Sequence, residues 1–108
     1  PMGAGMSSSA ALECGLAFAL NHLLSAGLAT LELARLAQQA EHTYAGVQCG
    51  IMDQFANMMG RLDNVLLLDC RSMRHQYFPL HINGYKIVLL NSNVQHTLVS
   101  AGNAAKKD

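Results

Sequence analysis

The spacing of apolar residues changes once along the chain, at Gly60. Before Gly60, apolar side chains recur every three to four residues in three segments, which is the spacing of one face of a helix. After Gly60, the runs NVLLLDC and YKIVLLN are short, rich in Val, Ile and Leu, and bounded by turn residues, as is typical of buried strands. Three helices followed by strands predict an α+β fold.

The ends of the three helices can be placed from cap residues. We expect the first helix to begin within Ser7–Ala10 and to end near Gly27. Its own side chains are apolar on nearly all sides, so we also expect it to be buried on most sides. Thr30 is the predicted N-cap of a second helix that runs to about 41–43. The third covers IMDQFANMM and ends at Gly60.

The last third of the chain carries weaker signals. The run RHQYFPL alternates between apolar and polar residues and contains Pro79, which predicts an edge strand. The tail from about His96 is predicted to be helical. At 108 residues the chain is one domain at most.

Composition excludes several function classes. Seven basic and seven acidic residues leave no net charge, which argues against nucleic acid or an anionic membrane as a partner. No apolar run is long enough to cross a bilayer. Cys14, Cys49 and Cys70 are odd in number and widely spaced, so we interpret them as buried thiols of a cytoplasmic protein. The five histidines show no zinc-binding spacing, and we expect no zinc site.

The stretch GAGMSSSAALE combines flexible glycines with three hydroxyls in front of a helix. Glycines allow successive N–H groups to turn inward, and the free N–H groups of a helix start attract anions, so this stretch could hold phosphate. It is not a Walker A loop, because it lacks the lysine and the required spacing. The alternative interpretation is an ordinary Gly/Ser loop with a capping serine.

Two carboxylates stand out in EHTYAGVQCGIMDQF. Asp53 falls in the first turn of an otherwise apolar helix. It either has a functional role at a binding or catalytic site or stabilises the helix start through the helix dipole. Glu41 closes the preceding helix, where a negative charge is mildly unfavourable. A bound cation would compensate for that placement.

The segment PMGAGMSSSAAL resembles the second motif of the GHMP small-molecule kinases, P-x-x-x-G-L-S-S-S-A, with Met6 in the usual Leu position. The segments CGIMDQF, DCRS and NSNV, in that order, resemble the sugar kinases of this family. The resemblance implies that residues 1–108 form part of the family's amino-terminal domain, of the ribosomal protein S5 domain 2-like fold, with helices packed on a small mixed sheet. The phosphate-binding loop would lie at 1–9.

The resemblance also implies roles for individual residues. Ser9 and Glu41 would hold Mg²⁺, Asp53 would face the C1 hydroxyl of a sugar, and Gly50 would touch the sugar through its backbone. The substrates would be ATP and that sugar. The ATP phosphates would be wrapped by the loop residues Gly3, Ala4, Gly5, Met6, Ser7, Ser8 and Ser9.

Departures from the family pattern leave alternatives open. Asn103 stands where the family commonly has a sugar-contacting tyrosine. The family's amino-terminal motif, resembling G-R-V-N-L-I-G-E-H-T-D-Y, and its carboxy-terminal glycine-rich motif are not found in these 108 residues. We therefore expect the chain to be the central part of a longer kinase and to be inactive by itself. The alternatives are a kinase for another sugar, such as N-acetylgalactosamine, or a sensor that binds sugar and ATP without phosphoryl transfer.

Overall fold

A computed structural model describes residues 5–90 and confirms the α+β class. The predicted helical tail, Asn103, Gly3 and Ala4 lie outside the described residues. The elements in chain order are α1 (Ser8–Leu23), α2 (Thr30–Ala40), a π-helical turn (Glu41–Ala45), α3 (Met52–Met59), β1 (Asn64–Leu68) and β2 (His75–Pro79).

The helix ends follow the predicted cap signals closely. Helix α1 begins at Ser8, inside the predicted window, and Gly27 adopts a left-handed conformation (φ 69°) shortly after its end. Gly60 ends α3, and its N–H donates to the carbonyl of Ala56 at 3.0 Å. The predicted cap of α2 is wrong by one residue. Thr30 is the first helical residue, and the N–H of Ala29 before it donates to Glu32 Oε2 at 2.7 Å.

Helices α1, α2 and α3 pack around a small core between them. The buried apolar residues are Ala10, Cys14, Leu33, Ala34, Ala37 and Phe55. The prediction that α1 is buried on most sides is wrong, because Leu12 is 75% and Leu23 76% exposed. Helices α2 and α3 cover only the side of α1 that carries Ala10 and Cys14. An apolar composition all round a helix does not reveal which side has a neighbour.

The two strands form an antiparallel hairpin. Residues pair in register from Asn64 opposite Pro79 to Leu68 opposite His75. Strand β2 matches the predicted edge strand and has Pro79 at its end. Within residues 5–90 the sheet has only these two strands, so it is antiparallel rather than mixed. The outer face of β1 is open, since Val65 and Leu67 are 48% and 60% exposed.

The strand predicted over YKIVLLN does not form in the part that the structure describes. Residues 85–90 have no regular secondary structure, and Leu90 is 92% exposed. Val, Ile and Leu favour a strand only where another strand supplies hydrogen bonds and a packing surface. Within the described residues, neither edge of the hairpin is paired with this segment.

The helices of residues 5–90 are each too short, or too polar, to cross a membrane.

Candidate active site

The fold brings Ser9 and Glu41 into direct contact, although 32 residues separate them. Ser9 Oγ donates a hydrogen bond of 2.8 Å to Glu41 Oε1. Ser9 lies in the first turn of α1, and Glu41 begins the π-helical turn that follows α2. These two residues are the predicted metal ligands, and the structure places them side by side.

Glu41 is a buried carboxylate, only 5% exposed, and uncharged groups donate to it. Its Oε2 accepts a 2.7 Å hydrogen bond from Gln54 Nε2 and a 3.3 Å contact from the Cys49 thiol. These two donors occupy Oε2, while Oε1 faces the exposed Ser9 hydroxyl. The carboxylate therefore has one oxygen held inside the protein and one directed toward the surface.

A second carboxyl group lies near this one. Burial, and then the negative charge of Glu41, raise the pKa of Glu13, while Gln54 acts in the opposite direction. Glu13 Oε2 and Gln54 Oε1 are both buried and have no hydrogen-bond partner. Buried acceptors and a buried negative charge without a positive partner are unfavourable. The cluster therefore suits a cation.

The donor set fits Mg²⁺, which prefers oxygen ligands and usually keeps several water or phosphate ligands. Ser9 Oγ and Glu41 Oε1 are two such oxygens, and they lie close enough to bind one ion. Within residues 5–90 no group of three or more His, Cys, Asp or Glu side chains is arranged to hold a metal. Mg²⁺ here would take its remaining ligands from phosphate and water.

The loop before α1 has an unusual backbone. Gly5 and Ser7 both have positive φ, at 71° and 51°, and such a conformation is unfavourable for serine. The Ser7 side chain makes no capping hydrogen bond. A serine therefore stands at the N-cap, as the alternative interpretation requires, but its side chain does not cap the helix. The first helical bond runs from Ala11 N to Ser7 O, so the N–H groups of residues 8–10 have no partner in the helix.

Asp53 lies beside this loop. It is half-buried in the first turn of α3, as predicted. It lines an open cavity of about 380 Å³ together with residues from both elements: Gly5, Met6, Ser7, Ala56 and Asn57. The structure thus joins the predicted phosphate loop and the predicted catalytic carboxylate on one surface. Gly50 does not line this cavity; it is exposed, just before α3.

Sequence reasoning missed Gln54 and Cys49, the two residues that hold Glu41 Oε2. Gln54 is 1% exposed, and the only available signal was an amide on the buried face of a short, mostly apolar helix. The prediction that all three cysteines are buried is only partly correct: Cys14 is buried, Cys49 is half-buried and Cys70 is exposed. Burial raises the pKa of the Cys14 and Cys49 thiols.

Known proteins resemble this chain in both sequence and structure. The galactokinase of Thermotoga petrophila is 46% identical over 101 residues, which are 94% of this chain and 29% of that protein. The galactokinase of Clostridium acetobutylicum is 41% identical over 101 residues, or 94% of this chain and 26% of that protein. The crystal structure of Lactococcus lactis galactokinase complexed with galactose is similar with a TM-score of 0.73 and 32% identity, covering 85% of this chain and 26% of that one.

The chain therefore spans less than a third of the length of these relatives. Residues 1–61 match the family model described as the GHMP kinases N terminal domain. This match covers more than half of the chain and includes every residue of the candidate site. The chain belongs to the GHMP kinase family.

Proposed function

We propose that this chain forms part of a galactokinase, which transfers the γ-phosphoryl group of ATP to the C1 hydroxyl of D-galactose. The observation that carries the proposal is the 2.8 Å contact between Ser9 and Glu41, next to the cavity shared by the Gly5–Ser7 loop and Asp53. A phosphoryl-transfer site needs a phosphate cradle, a cation site and a group that orients the attacking hydroxyl. This surface offers residues for all three.

The phosphate cradle would be the loop at 1–9 with the start of α1. Free N–H groups and the positive end of the helix dipole favour bound phosphate oxygens. The positive φ of Gly5 and Ser7 turns the backbone sharply before the helix. The Ser7 hydroxyl is not used for capping, which leaves it available as a further donor.

Ser9 and Glu41 would hold Mg²⁺, which neutralises charge on the β- and γ-phosphates when bound. Gln54 and Cys49 fix Glu41 Oε2 within the protein, so the carboxylate keeps Oε1 directed toward Ser9. In phosphoryl transfer the protein contributes mainly positioning and charge stabilisation. A carboxylate held by two donors supplies that positioning.

Asp53 would orient the C1 hydroxyl and accept its proton. Asp53 lines the cavity and is only partly buried, so a sugar can approach it from the side of the loop. Gly50, three residues earlier, would contact the same sugar through its backbone. The free thiols of Cys14, Cys49 and Cys70 support a location in the reducing cytoplasm.

A hybrid enzyme tests the proposal. In this hybrid, our chain replaces the aligned 101-residue segment of Thermotoga petrophila galactokinase. We expect galactose-dependent release of ADP from MgATP, measured by a coupled assay, with galactose 1-phosphate as product. The unmodified Thermotoga enzyme is the control for turnover, and circular dichroism checks that the hybrid is folded.

The same assay tests the sensor alternative. For the choice of sugar it is informative in one direction, because the hybrid takes the amino-terminal motif, which carries most sugar contacts, from the Thermotoga enzyme. A hybrid that prefers N-acetylgalactosamine to galactose would point to a different sugar kinase. A folded hybrid that binds galactose and MgATP by calorimetry without releasing ADP would point to a sensor. Either outcome would refute galactokinase activity for this chain.

A further inference from the structure

One backbone carbonyl near the site is held by two side chains. The carbonyl of Cys49 accepts a 3.0 Å hydrogen bond from Gln38 Nε2 and lies 2.8 Å from His42 Nε2. Gln38 is in the last turn of α2, and His42 is in the π-helical turn that follows it. Two consecutive turns of helix therefore fix one carbonyl of the loop at 46–50.

Backbone hydrogen bonds and a glycine turn also shape this loop. Gly46 ends the π-helical turn with a positive φ of 69°. The N–H of Val47 donates to the carbonyl of Glu41 at 3.4 Å, and the N–H of Cys49 donates to the carbonyl of Val47 at 3.0 Å. These backbone features help to turn the chain toward α3. The side chains of Gln38 and His42 additionally constrain the orientation of the Cys49 carbonyl.

The orientation of the Cys49 carbonyl also sets the direction of the Gly50 N–H. The peptide bond between Cys49 and Gly50 is planar and trans, so its N–H points opposite to its C=O. Because the carbonyl points toward Gln38 and His42, the Gly50 N–H points away from them.

The Gly50 N–H is free to bind a ligand. Across residues 5–90, no protein acceptor is found for it. Gly50 is exposed, and apart from its two chain neighbours no protein atom lies within 4 Å of the place where a Cβ would sit. An oriented donor on an exposed residue, three residues before Asp53, can meet a hydroxyl oxygen of a bound molecule.

We propose that Gln38 and His42 are positioning residues that aim the Gly50 N–H at a hydroxyl oxygen of the sugar substrate. The proposal rests on the proposed function, because it needs a sugar beside Asp53 and Gly50. The proposal also specifies the tautomer of His42. A hydrogen bond to a carbonyl requires a proton on Nε2, so the neutral ring is the Nε2–H tautomer.

Substitutions in the hybrid enzyme test this assignment. Gln38→Glu keeps the size of the side chain but presents an acceptor to the Cys49 carbonyl, and His42→Leu removes the second donor. We expect each to raise the KM for galactose by about threefold to tenfold, the range for losing one hydrogen bond. The KM for ATP should stay within about twofold, because the loop and metal residues are unchanged.

Two further variants separate positioning from general effects. Gln39→Glu introduces the same charge at the next, exposed residue and should leave both KM values within about twofold. His42→Gln retains an amide donor and should recover most of the galactose KM lost in His42→Leu. A galactose KM that changes no more in Gln38→Glu than in Gln39→Glu would overturn the proposal, as would an equal rise in the KM for ATP.

The tautomer supplies a test that needs no substitution and no activity. Nitrogen-15 NMR of the 108-residue chain should show His42 protonated at Nε2 at pH 8, and a proton on Nδ1 would overturn the assignment. If the hybrid released no ADP with galactose, the proposed function would fail. The tautomer would still report whether His42 holds the Cys49 carbonyl.

Discussion

At the scale of single residues, the site depends on a carboxylate whose two oxygens have different surroundings. The sequence alone draws attention to Glu41, because a negative charge at the end of a helix is unfavourable. The donors to its Oε2 come from two other parts of the chain, Gln54 from α3 and Cys49 from the loop before α3. Spacing along the chain does not predict that contact, because it depends on how two separate elements meet.

Replacement of Asp53 tests the most specific catalytic assignment. In the hybrid enzyme, Asp53→Asn keeps the size of the side chain and removes its charge. We expect turnover to fall by at least ~10²-fold, the lower range for general acid–base catalysis. Affinity for MgATP should hardly change. Asp63→Asn is a suitable control, because Asp63 is exposed, lies outside the site and has a positive φ of 55° that asparagine tolerates. Near-normal turnover in Asp53→Asn would show that this residue only stabilises the start of α3.

Replacement of Glu41 should produce a different pattern. Glu41→Gln removes the negative charge next to Ser9 and should weaken Mg²⁺-dependent binding of ATP as well as turnover. Calorimetric titration with ATP in the presence and absence of Mg²⁺ measures this directly. The variant should lose most of the difference between the two titrations. If both titrations match those of the unsubstituted hybrid, Glu41 is not a metal ligand.

Glu13 should make stability depend on pH. Its pKa is raised in the folded state, mainly by burial and by Glu41, above the usual carboxyl value of about 4.3. The folded chain therefore binds this proton more tightly than the unfolded chain, and the free energy of unfolding falls as pH rises above that value. Glu13→Gln removes this penalty. Denaturant titrations should show the variant gaining stability over the parent as pH rises from 4 to 7. A constant difference between the two would contradict this explanation.

At the scale of secondary-structure elements, the sequence predicts the ends of helices well where cap and turn residues determine them. Helix α1 begins at Ser8 and α3 ends at Gly60, both as predicted. The errors concern burial and pairing, which depend on distant parts of the chain. Helix α1 is exposed along most of its length, and residues 85–90 form no strand. Apolar composition indicates that a surface favours burial, but it does not specify the partner.

Replacement by alanine should change stability in opposite directions at two glycines, one at the end of α3 and one within α1. A Cβ on Gly60 would lie 2.9 Å from the carbonyl oxygen of Ala56, so Gly60→Ala forces the end of α3 to shift. Gly15 is exposed within α1 and meets nothing within 4 Å. Thermal denaturation should show Gly60→Ala destabilised, and Gly15→Ala stabilised by roughly 0.5–1 kcal/mol. Equal shifts in the same direction would contradict the packing at Gly60.

At the scale of the whole molecule, the structure presents one face of a site and leaves large apolar surfaces exposed. Leu12 and Leu23 of α1, Val65 and Leu67 of β1, and residues 87–90 are all open. The sequence already indicated this, since about half of its residues are hydrophobic and only 13% are charged. The charged fraction is the unusual number, because soluble domains typically have about 25% charged residues.

The last prediction is that the 108-residue chain alone has no measurable kinase activity. The resemblance assigns the catalytic arginine and most sugar contacts to one motif, and completion of the nucleotide site to another, and neither is found in these residues. Positioning of two substrates can contribute ~7–11 kcal/mol to lowering the barrier, and this chain contributes only part of it. A coupled ADP-release assay with galactose should give no rate above background, whereas the hybrid enzyme at equal concentration should turn over. Galactose-dependent turnover by the chain alone would mean that Ser9, Glu41 and Asp53 suffice for catalysis, and the mechanism would have to be assigned to these residues alone.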